Sequence, residues 1–345
     1  MDVKIFHKIT NNIIYCLNTI NVLLNFIQMK KILLTGSTGF IGSNILLTLN
    51  KNNKYKIYVT IHKTKPKIKY RNVSYINCNL LKYKDCLKAT KNIDIVIHCA
   101  ATTSGSKDII NKPYLHVTDN AVMGSYLLRA IYENKVNHFI FTSCTVMYKN
   151  SSKYLSEKDV DEKKIFHSYF GVAHTKLYIE KICKFYSKIS KTKFTIIRHS
   201  NIYGPRDKFD LTKGHFIGSS VKKLFARNDE SIKIFGNGSE KRDFLFINDF
   251  TNFVKIVLKK QISNYEIFNC SYGRSFSVIT ILNKLIKISN LNKKIKKIKA
   301  SKSIKVNICV NSKKAKKLLS WYPKIHLDEG LKKTIDWYQK NEKLL

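Results

Sequence analysis

The sequence predicts an α/β fold, a doubly wound parallel sheet with a smaller C-terminal substrate-binding lobe, from three observations. Apolar strand candidates alternate with helical stretches between residues 29 and 200. A glycine-rich turn joins the first strand candidate to the first helical stretch. After residue 200 the pattern becomes irregular, with turns around Gly204 and Gly236–Gly238. A small lobe at the carboxyl ends of the strands would have this pattern.

Six strands and four helices are predicted before the irregular part. The strands are placed at 31–35, 56–61, 73–77, 93–98, 138–143 and 194–198, and the helices at 41–51, 82–90, 112–134 and 168–190. Residues 29–200 are therefore assigned to a dinucleotide-binding domain. Residues 201–345 are assigned mainly to the substrate-binding lobe, with some segments returning to the first domain.

Residues 1–28 are assigned to an N-terminal extension outside this fold. Their apolar part, 13–28, is interrupted by asparagines at 18, 21 and 25 and is followed by no small-residue cleavage site. This argues against a signal peptide or a membrane span. The extension either precedes a natural start at Met29 or forms a loosely attached amphipathic helix.

The glycine turn predicts dinucleotide binding. The first glycine permits a tight turn, the second lets the backbone approach a pyrophosphate, and the third allows helix and strand to pack closely. Free backbone N–H groups and the helix dipole favour phosphate at such a turn. A tight turn without a ligand is the alternative. The residues assigned to this turn are Gly36, Ser37, Thr38, Gly39, Phe40, Ile41 and Gly42.

The charge and the cysteines restrict the class of protein. Sixty-three Lys and Arg against 23 Asp and Glu give a net charge of +40. Such a charge suits a nucleic acid or a membrane surface. Because the lysines are spread along the chain without a nucleic-acid motif, we favour a compositional bias, and expect neither partner. The eight cysteines form no C-x-x-C pair, which predicts reduced thiols in a cytoplasmic protein without zinc, disulfides or another metal.

The end of the second strand bears on the choice of cofactor. A carboxylate at this place would bind the 2′-hydroxyl of NAD, whereas basic groups can accept the 2′-phosphate of NADP. The sequence has His62 and Lys63 there and no acidic residue. We therefore expect NADP, with NAD as the alternative.

Several segments resemble the extended branch of the short-chain dehydrogenase/reductase superfamily (the NAD-dependent epimerase/dehydratase family), which modifies nucleotide sugars. They are the G-x-x-G-x-x-G turn, the H-x-A-A stretch at 98–101, the R-x-x-N-x-Y-G-P stretch at 198–205 and the closing pattern at 311–338. The resemblance covers 29–340. It implies a Rossmann-type fold and a homodimer built through the helices at 112–134 and 168–190. The further cofactor contacts that it implies are Asn79, Leu80, Ala100, Ala101, Asn120, Phe141, Thr142, Lys176, His199, Asn201 and Ile202.

The stretch Ser143–Tyr148 resembles the S-S-C-I-Y segment of GDP-fucose synthases, which epimerise a 4-keto sugar and reduce it with NADPH. On this match Ser143 is the hydroxyl that binds the substrate oxygen, and Thr145 occupies the position of the epimerising cysteine. A shift by one residue, which aligns Tyr148 with the tyrosine of that segment, would put Cys144 in the place of the serine. Both registers remain open at this point.

Lys176 matches the lysine of the tyrosine–lysine pair of the superfamily, in which the two residues lie one helical turn apart. In such a pair the ammonium lowers the pKa of the phenol. Four residues before Lys176, however, the sequence has Val172. Tyr169 and Tyr178 lie seven residues before and two after it, and neither reproduces the pair without a rearranged helix start.

The substrate residues follow from the same resemblance. His215 aligns with the general acid of epimerisation, and its near-neutral pKa suits that task. The remaining substrate positions are Asn201, Lys223, Phe235 and Arg242. The resemblance implies an NAD(P)-dependent epimerase/reductase that acts on a 4-keto-6-deoxy nucleotide sugar, with GDP as the nucleotide. The alternatives are a 4-epimerase, a dehydratase or, because of Val172, a non-catalytic binder of the cofactor and the sugar nucleotide.

Overall fold

The computed structural model describes residues 29–51, 54–103, 106–226, 230–260, 263–298 and 306–344. The predicted N-terminal extension, 1–28, lies outside the described residues. The strands are β1 (Lys30–Thr35), β2 (Tyr55–Ile61), β3 (Val73–Asn77), β4 (Ile95–His98), β5 (His138–Cys144), β6 (Lys193–His199), β7 (Asn201–Tyr203), β8 (Ser231–Phe235), β9 (Lys241–Phe246), β10 (Tyr265–Cys270), β11 (Ser275–Ser277) and β12 (Lys294–Ile298).

The helices cover both faces of the main sheet. They are α1 (Phe40–Asn50), α2 (Tyr83–Thr90), α3 (Ser106–Asn111), α4 (Thr118–Glu133), α5 (Phe170–Ile189), α6 (Phe216–Leu224), α7 (Ile247–Lys260), α8 (Val278–Ser289), α9 (Lys313–Leu319) and α10 (Leu327–Asn341). Short 3₁₀ turns occupy Pro113–His116, Glu157–Asp159, Glu162–Lys164, His167–Tyr169 and Glu342–Leu344.

In the described residues the main sheet has seven strands, in the order β10-β6-β5-β4-β1-β2-β3, and all of its pairs are parallel. This is the doubly wound fold that the sequence predicts, and the six predicted strands are confirmed. The helix predicted at 112–134 is wrong as a single helix. Lys112 has non-helical geometry (φ −138°, ψ 54°), a 3₁₀ turn covers Pro113–His116, and α4 begins only at Thr118.

The strands of the main sheet are apolar on both faces, because each face is covered by helices. Ile32 and Leu34 of β1 belong to a core with residues of α1 and α7, and Leu33 belongs to the opposite core with residues of α4 and α5. The β-strand period of two residues thus divides one short apolar run between two cores.

A smaller lobe lies beyond the carboxyl end of β6. The chain passes from β6 through Ser200 directly into β7, which pairs in parallel with β9, and β11 pairs with β9 antiparallel. A second pair, β8 and β12, is parallel. The lobe is therefore positioned at the sheet edge where the strands β1 and β4–β6 end. The domain boundary at 200/201 stays a prediction.

A buried ion pair ties α5 to the main sheet. Arg198 of β6 donates to Glu180 of α5 with an Nη2–Oε2 distance of 2.6 Å, and the two side chains are 5% and 3% exposed. The hydroxyl of Ser143 on β5 donates to Oε1 of Glu180 at 2.6 Å, and Nη1 of Arg198 donates to the hydroxyl of Tyr148 at 3.2 Å. Strands β5 and β6 and helix α5 are thus joined by one carboxylate.

Removal of one member of this pair should destabilise the fold, because the other charge stays buried without its partner. We expect Arg198→Met to lower the free energy of unfolding by about 3–5 kcal/mol. The matched control is Lys333→Met, which removes the cation of an exposed i,i+4 pair with Glu329 and should cost at most about 0.5 kcal/mol. Urea titration of both variants measures the difference. Equal stability of the two variants would contradict the structural importance of the buried pair.

Candidate functional site

The turn between β1 and α1 depends on glycine at two positions. Gly36 has φ +71°, and a Cβ there would lie 2.6 Å from the backbone nitrogen of Ala100. A Cβ on Gly42, in the first turn of α1, would collide with the carbonyl oxygen of Gly36. The strand, the helix and the neighbouring strand end are therefore packed against each other with no space for a side chain.

Gly39, the residue that precedes α1, has a different reason to be glycine. A Cβ there would meet only the carbonyl oxygen of Gly36, at an ordinary 3.4 Å. Its φ of −83° is open to any residue, and no side chain caps the helix. An added side chain would instead project into the cavity that Gly39 lines. The cradle between Gly39 and the free N–H groups of α1 has the form and charge of a phosphate site.

A cavity of about 1200 Å³ begins at this turn and extends along the carboxyl ends of the strands into the C-terminal lobe. Most residues that the sequence assigns to cofactor or substrate line it. The lining members of the cofactor set are Gly36, Thr38, Gly39, Phe40, Ile41, Gly42, His62, Lys63, Asn79, Leu80, Ala100, Ala101, Thr142, Lys176, His199, Asn201 and Ile202. The lining members of the catalytic and substrate sets are Thr145, His215, Lys223, Phe235 and Arg242.

Three of the predicted cofactor contacts do not line this cavity and support its wall instead. Asn120 accepts the N–H of Thr102 at 2.8 Å and donates to the carbonyl oxygen of Thr102 at 3.0 Å. Ser37 is buried, with its hydroxyl 3.5 Å from the carbonyl oxygen of Thr60. The ring of Phe141 lies 4.6 Å below the ammonium of Lys176. These side chains hold other groups in place rather than reach a ligand.

The predicted role of Ser143 does not agree with the geometry. Its side chain is fully buried and bonded to Glu180, and it does not reach the cavity. Successive side chains of a strand point to opposite faces, so its neighbours Thr142 and Cys144 both line the cavity. The structure thus favours the shifted register, in which Cys144 takes the place of the serine. The same shift moves the position of the epimerising cysteine from Thr145 to Val146.

Lys176 projects from α5 to the end of β5. Its ammonium donates to the carbonyl oxygen of Thr142 at 3.1 Å. Burial lowers the pKa of Lys176, and Cys144, Glu180 and Cys99 oppose this shift. Val172, one turn before the lysine, also lines the cavity, so an aliphatic side chain faces the ligand space where the superfamily has a phenol.

His199 and Asn201 form the wall between the main sheet and the lobe. Nδ1 of His199 donates to the carbonyl oxygen of Ser200 at 2.8 Å, and burial lowers the pKa of His199 to about 4. The Asn201 amide donates to the carbonyl oxygen of Asp243 at 3.0 Å. At neutral pH the His199 ring is therefore uncharged.

His215 begins the lobe side of the cavity, at the residue that precedes α6. Its ring is open to the cavity. Desolvation, followed by the positive charges of Lys208 and His116, lowers the pKa of His215. His116 lies in the same cavity with its Nε2 buried and without a hydrogen-bond partner. A polar ligand atom would satisfy this nitrogen.

Arg242, Lys223 and Phe235 line the lobe end of the cavity. The Nε of Arg242 is buried and has no hydrogen-bond partner, and burial lowers the pKa of Lys223. Phe235 is 65% exposed although it is a large apolar side chain. The combination of two cations and an accessible ring face suits a phosphate next to a planar base.

The opposite end of the cavity lies at the ends of β2 and β3. His62 and Lys63 are exposed there, and Asn79 and Leu80 line the facing wall. The side-chain oxygen of Asn79 accepts the N–H of Leu81 at 3.1 Å. His62 and Lys63 are thus exposed cavity residues that an anionic group can reach.

Two cavity residues have no role assigned from the sequence. His116 is the last residue of the 3₁₀ turn Pro113–His116, and no motif marks it. Tyr169 ends the turn His167–Tyr169 just before α5, is 7% exposed and lines the cavity. Its spacing from Lys176 was the signal that could have found it, since a 3₁₀ turn provides the rearranged helix start.

Other kinds of site receive no support from the described part of the chain. It contains no group of three or more His, Cys, Asp or Glu side chains that could hold a metal ion. No described helix is both long and apolar enough to cross a bilayer. All seven cysteines between Cys78 and Cys309 are free thiols.

The chain matches a known protein family over the residues that form most of this cavity. The profile of the NAD dependent epimerase/dehydratase family matches residues 32–271, which run from β1 to the end of β10. The chain belongs to this family. The matched region contains the glycine turn, Lys176 and Arg242.

Relatives within the family share the full length of the fold. A UDP-glucuronate 4-epimerase of Thermodesulfobacterium geofontis is 28% identical and aligns over 91% of this chain and 97% of its own. A GDP-L-colitose synthase of Yersinia pseudotuberculosis is 24% identical over 91% and 99% of the two chains. The crystal structure of UDP-glucuronic acid 4-epimerase from Bacillus cereus, solved with UDP-glucuronic acid and NAD, has a TM-score of 0.78 at 27% identity and covers 90% and 99%.

A buried carboxyl group beneath the lobe side of the cavity should make stability depend on pH. Asp207 is 3% exposed, its Oδ2 has no hydrogen-bond partner, and burial raises its pKa to about 7. The pKa of Asp207 is higher in the folded protein than the value near 4 of the unfolded chain, so the protonated carboxyl group stabilises the fold at low pH. This stabilisation is lost as pH rises from about 4 to about 7. Relative to Asp207→Asn, the free energy of unfolding of the wild type should fall by up to about 1.4 kcal/mol per pH unit between about pH 4 and 7.

Chemical denaturation of both proteins across this range measures the difference. Asp243, whose pKa burial raises to about 6, is present in both proteins and cancels. A difference that stays constant between pH 4 and 8 would show that Asp207 titrates normally.

Proposed function

We propose that the chain is an NAD(P)-dependent nucleotide-sugar oxidoreductase and epimerase that acts at the carbonyl carbon of a 4-keto sugar. One observation carries the proposal. A single cavity joins the glycine turn, the ammonium of Lys176 and the cations of the lobe, so a dinucleotide and a nucleotide sugar can meet beside the lysine. A cavity of about 1200 Å³ exceeds what one drug-sized ligand requires.

The chain's own residues suit the dinucleotide. The Gly39 cradle and the N–H groups of α1 would hold the pyrophosphate, and Asn79 and Leu80 would flank the adenine. Lys176 would hold the nicotinamide ribose, and His62 and Lys63 would face the adenosine ribose. A bound nicotinamide supplies or accepts the hydride.

The choice between NAD and NADP is a separate part of the proposal. The Bacillus cereus enzyme was solved in complex with NAD. His62 and Lys63, which are exposed cavity residues, favour the 2′-phosphate of NADP. We therefore propose that both dinucleotides bind. The affinities for the two measure the contribution of the basic pair.

The lobe residues would bind the sugar nucleotide. Arg242 and Lys223 would neutralise the diphosphate, Arg242 through its unpartnered Nε, and Phe235 would cover the base. His215 would exchange a proton with the sugar, because its lowered pKa leaves the ring neutral and able to accept one at neutral pH. The resemblance to GDP-fucose synthases makes a GDP-linked 4-keto-6-deoxyhexose the first substrate to test, and a UDP-linked hexose the second.

The test uses the full chain with each dinucleotide and each sugar nucleotide. Calorimetry with NAD, NADP and their reduced forms measures cofactor binding. Turnover of GDP-4-keto-6-deoxymannose with NADH or NADPH, followed at 340 nm, measures reduction, and chromatography of UDP-glucose and UDP-glucuronate measures 4-epimerisation. If no dinucleotide binds, the proposed function is wrong.

A second candidate function is a non-catalytic binder of the same ligands. The observation that favours it is Val172, which places an aliphatic side chain one turn from Lys176 in the cavity. Dinucleotide and sugar-nucleotide binding without turnover of any substrate would support the binder. Turnover by the purified wild type would exclude it.

We propose that the protein is a cytoplasmic homodimer with reduced thiols. Its location is inferred from the cysteine spacing. The dimer is proposed through α4 and α5, which pack against each other on one side of the sheet. Their outer surface exposes a set of large apolar side chains, Tyr126, Tyr132, Phe170, Tyr178, Phe185 and Ile189. Exposed apolar groups concentrated on two adjacent helices are typical of an interface.

A charge placed in this surface should separate the subunits. We expect Phe185→Glu to shift the protein toward monomer, because a carboxylate of each subunit would be buried in the interface. Leu318→Glu, at an exposed position of α9, has the same change in charge and should leave the dimer intact. Sedimentation velocity distinguishes the two. Identical sedimentation of both variants and the wild type would contradict this interface.

The glycine cradle gives a prediction that separates ligand space from packing. Gly39→Ala should bind the dinucleotide at least about tenfold more weakly, a loss of about 1.4 kcal/mol, because its methyl group would enter the cavity. Its free energy of unfolding should stay within about 1 kcal/mol of the wild type. Gly42→Ala, whose methyl group would collide with the Gly36 carbonyl, should lose stability as well. Unchanged affinity in Gly39→Ala, measured by calorimetry, would contradict the cradle.

A further inference from the structure

The reaction proposed above needs a proton donor at the sugar oxygen, and the helix position that holds a phenol in the superfamily is Val172. The donor must therefore come from another element near Lys176. Among the described residues that line the cavity near Lys176, the protic side chains are Cys99, Thr142, Cys144, Thr145, Tyr169 and His199. The Thr142 hydroxyl already donates to the carbonyl oxygen of His98 at 2.9 Å.

We propose that the thiol of Cys144 donates this proton and that the ammonium of Lys176 stabilises the thiolate that remains. The inference rests on the proposed function. Cys144 is the last residue of β5, is half-buried and lines the cavity. Lys176 bonds the carbonyl oxygen of Thr142, two residues earlier on the same strand. The thiol and the ammonium thus lie at the same strand end.

Two buried nitrogens without a hydrogen-bond partner belong to residues that line the same cavity, and a polar ligand group in the cavity would satisfy them. They are the buried Nε2 of His116 and the buried Nε of Arg242. Arg242, Tyr169 and Cys144 line the same cavity. A ligand held by Arg242 can therefore extend through the cavity to Cys144.

The other protic groups are less suited to donate. The Nδ1 of His199 is used by the Ser200 carbonyl, and the ring is neutral above a pKa of about 4. Burial raises the pKa of Tyr169, and this residue precedes α5, two helical turns before Lys176. Burial raises the pKa of Cys99 to about 12, although a bond with the Thr142 side chain and the charge of Lys176 oppose the shift. Thr145 is an alcohol, a much weaker acid than a thiol.

The step balances in the direction of reduction. The carbonyl carbon of the sugar takes a hydride from the reduced nicotinamide dinucleotide, a C–H bond forms, and the C=O π bond breaks. The carbonyl oxygen takes the proton of the Cys144 thiol. The products are the sugar alcohol, the oxidised dinucleotide and the Cys144 thiolate, which takes a proton from solvent before the next turnover.

Burial and the charges around Cys144 determine the pKa of its thiol. Burial raises the pKa of the thiol, and Glu180 reinforces the rise, whereas Lys176, the backbone N–H of Val146 and Arg198 oppose it. Tyr169 is the remaining titratable neighbour. The thiol is therefore protonated at neutral pH and ready to donate. The rate of reduction should fall as pH rises through the raised pKa of Cys144.

The thiol–ammonium pair can be tested without cofactor or substrate. The rate at which iodoacetamide alkylates Cys144 in the apo protein is followed against pH by peptide mass spectrometry. Lys176→Met should move the alkylation profile of Cys144 to higher pH and lower the alkylation rate at pH 8 by about tenfold, because less thiolate is present. Cys183, buried elsewhere on α5, is the internal control. An unchanged profile in Lys176→Met overturns the inference, whether or not the proposed function holds.

Single-turnover reduction of the keto sugar tests the role itself. Cys144→Ala should lower the rate by about 10²–10⁴-fold without a change in dinucleotide affinity, and Cys144→Ser should remove the high-pH limb of the profile. Cys99→Ser and Tyr169→Phe are the matched controls and should keep the wild-type rate. Val172→Tyr in the Cys144→Ala protein should restore part of the rate, because it places a phenol one turn from Lys176. Full activity of Cys144→Ala, or a comparable loss in Tyr169→Phe alone, overturns the assignment.

Discussion

The position of the site depends on the carboxylate of Glu180. This group is buried between β5, β6 and α5 and takes hydrogen bonds from Arg198 and Ser143. Because a buried charge is stable only with such partners, α5 can present just one face to the sheet. Lys176 lies one turn before Glu180 on that face. The ammonium is thereby brought to the end of β5, where it bonds Thr142.

The buried Glu180 carboxylate also distinguishes the roles of Ser143 and Cys144, which the sequence left open. Ser143 donates a hydrogen bond to the Glu180 carboxylate, so its role is to hold α5 and β5 together beneath the site. Cys144 follows it on the opposite face of the strand and lines the cavity. Both are small protic residues, and a shift of one residue exchanges their roles completely. A structural and a reactive group are therefore adjacent in sequence and on opposite sides of the sheet.

The ligand space is marked by an open glycine turn at one end and by buried nitrogens without hydrogen-bond partners at the other. Gly39 keeps an open cradle at the start of α1, whereas Gly36 and Gly42 have protein atoms where a side chain would be. His116 and Arg242 each bury a nitrogen without a partner at the other end of the cavity. Buried polar atoms normally have partners, so these positions are stable only if water or a ligand reaches them. The cavity thus offers anion sites at both ends, with Lys176 between them.

The order of strands and helices in the first 200 residues was determined by the sequence, because apolar runs and glycine punctuation are local signals. The break at Lys112 and the 3₁₀ turn that follows it were not determined in this way, since a short 3₁₀ turn and an α-helix have similar periodicities. Strand β10 was missed because it joins the main sheet from the lobe, and this pairing is not local. The glycine turn could be found from its spacing, and Lys176 and most other cavity residues from the resemblance to the superfamily. The register at Ser143 and Cys144, the separation of wall residues from lining residues and the place of Tyr169 were decided by tertiary structure, because which face of an element meets a cavity depends on what packs against the other face.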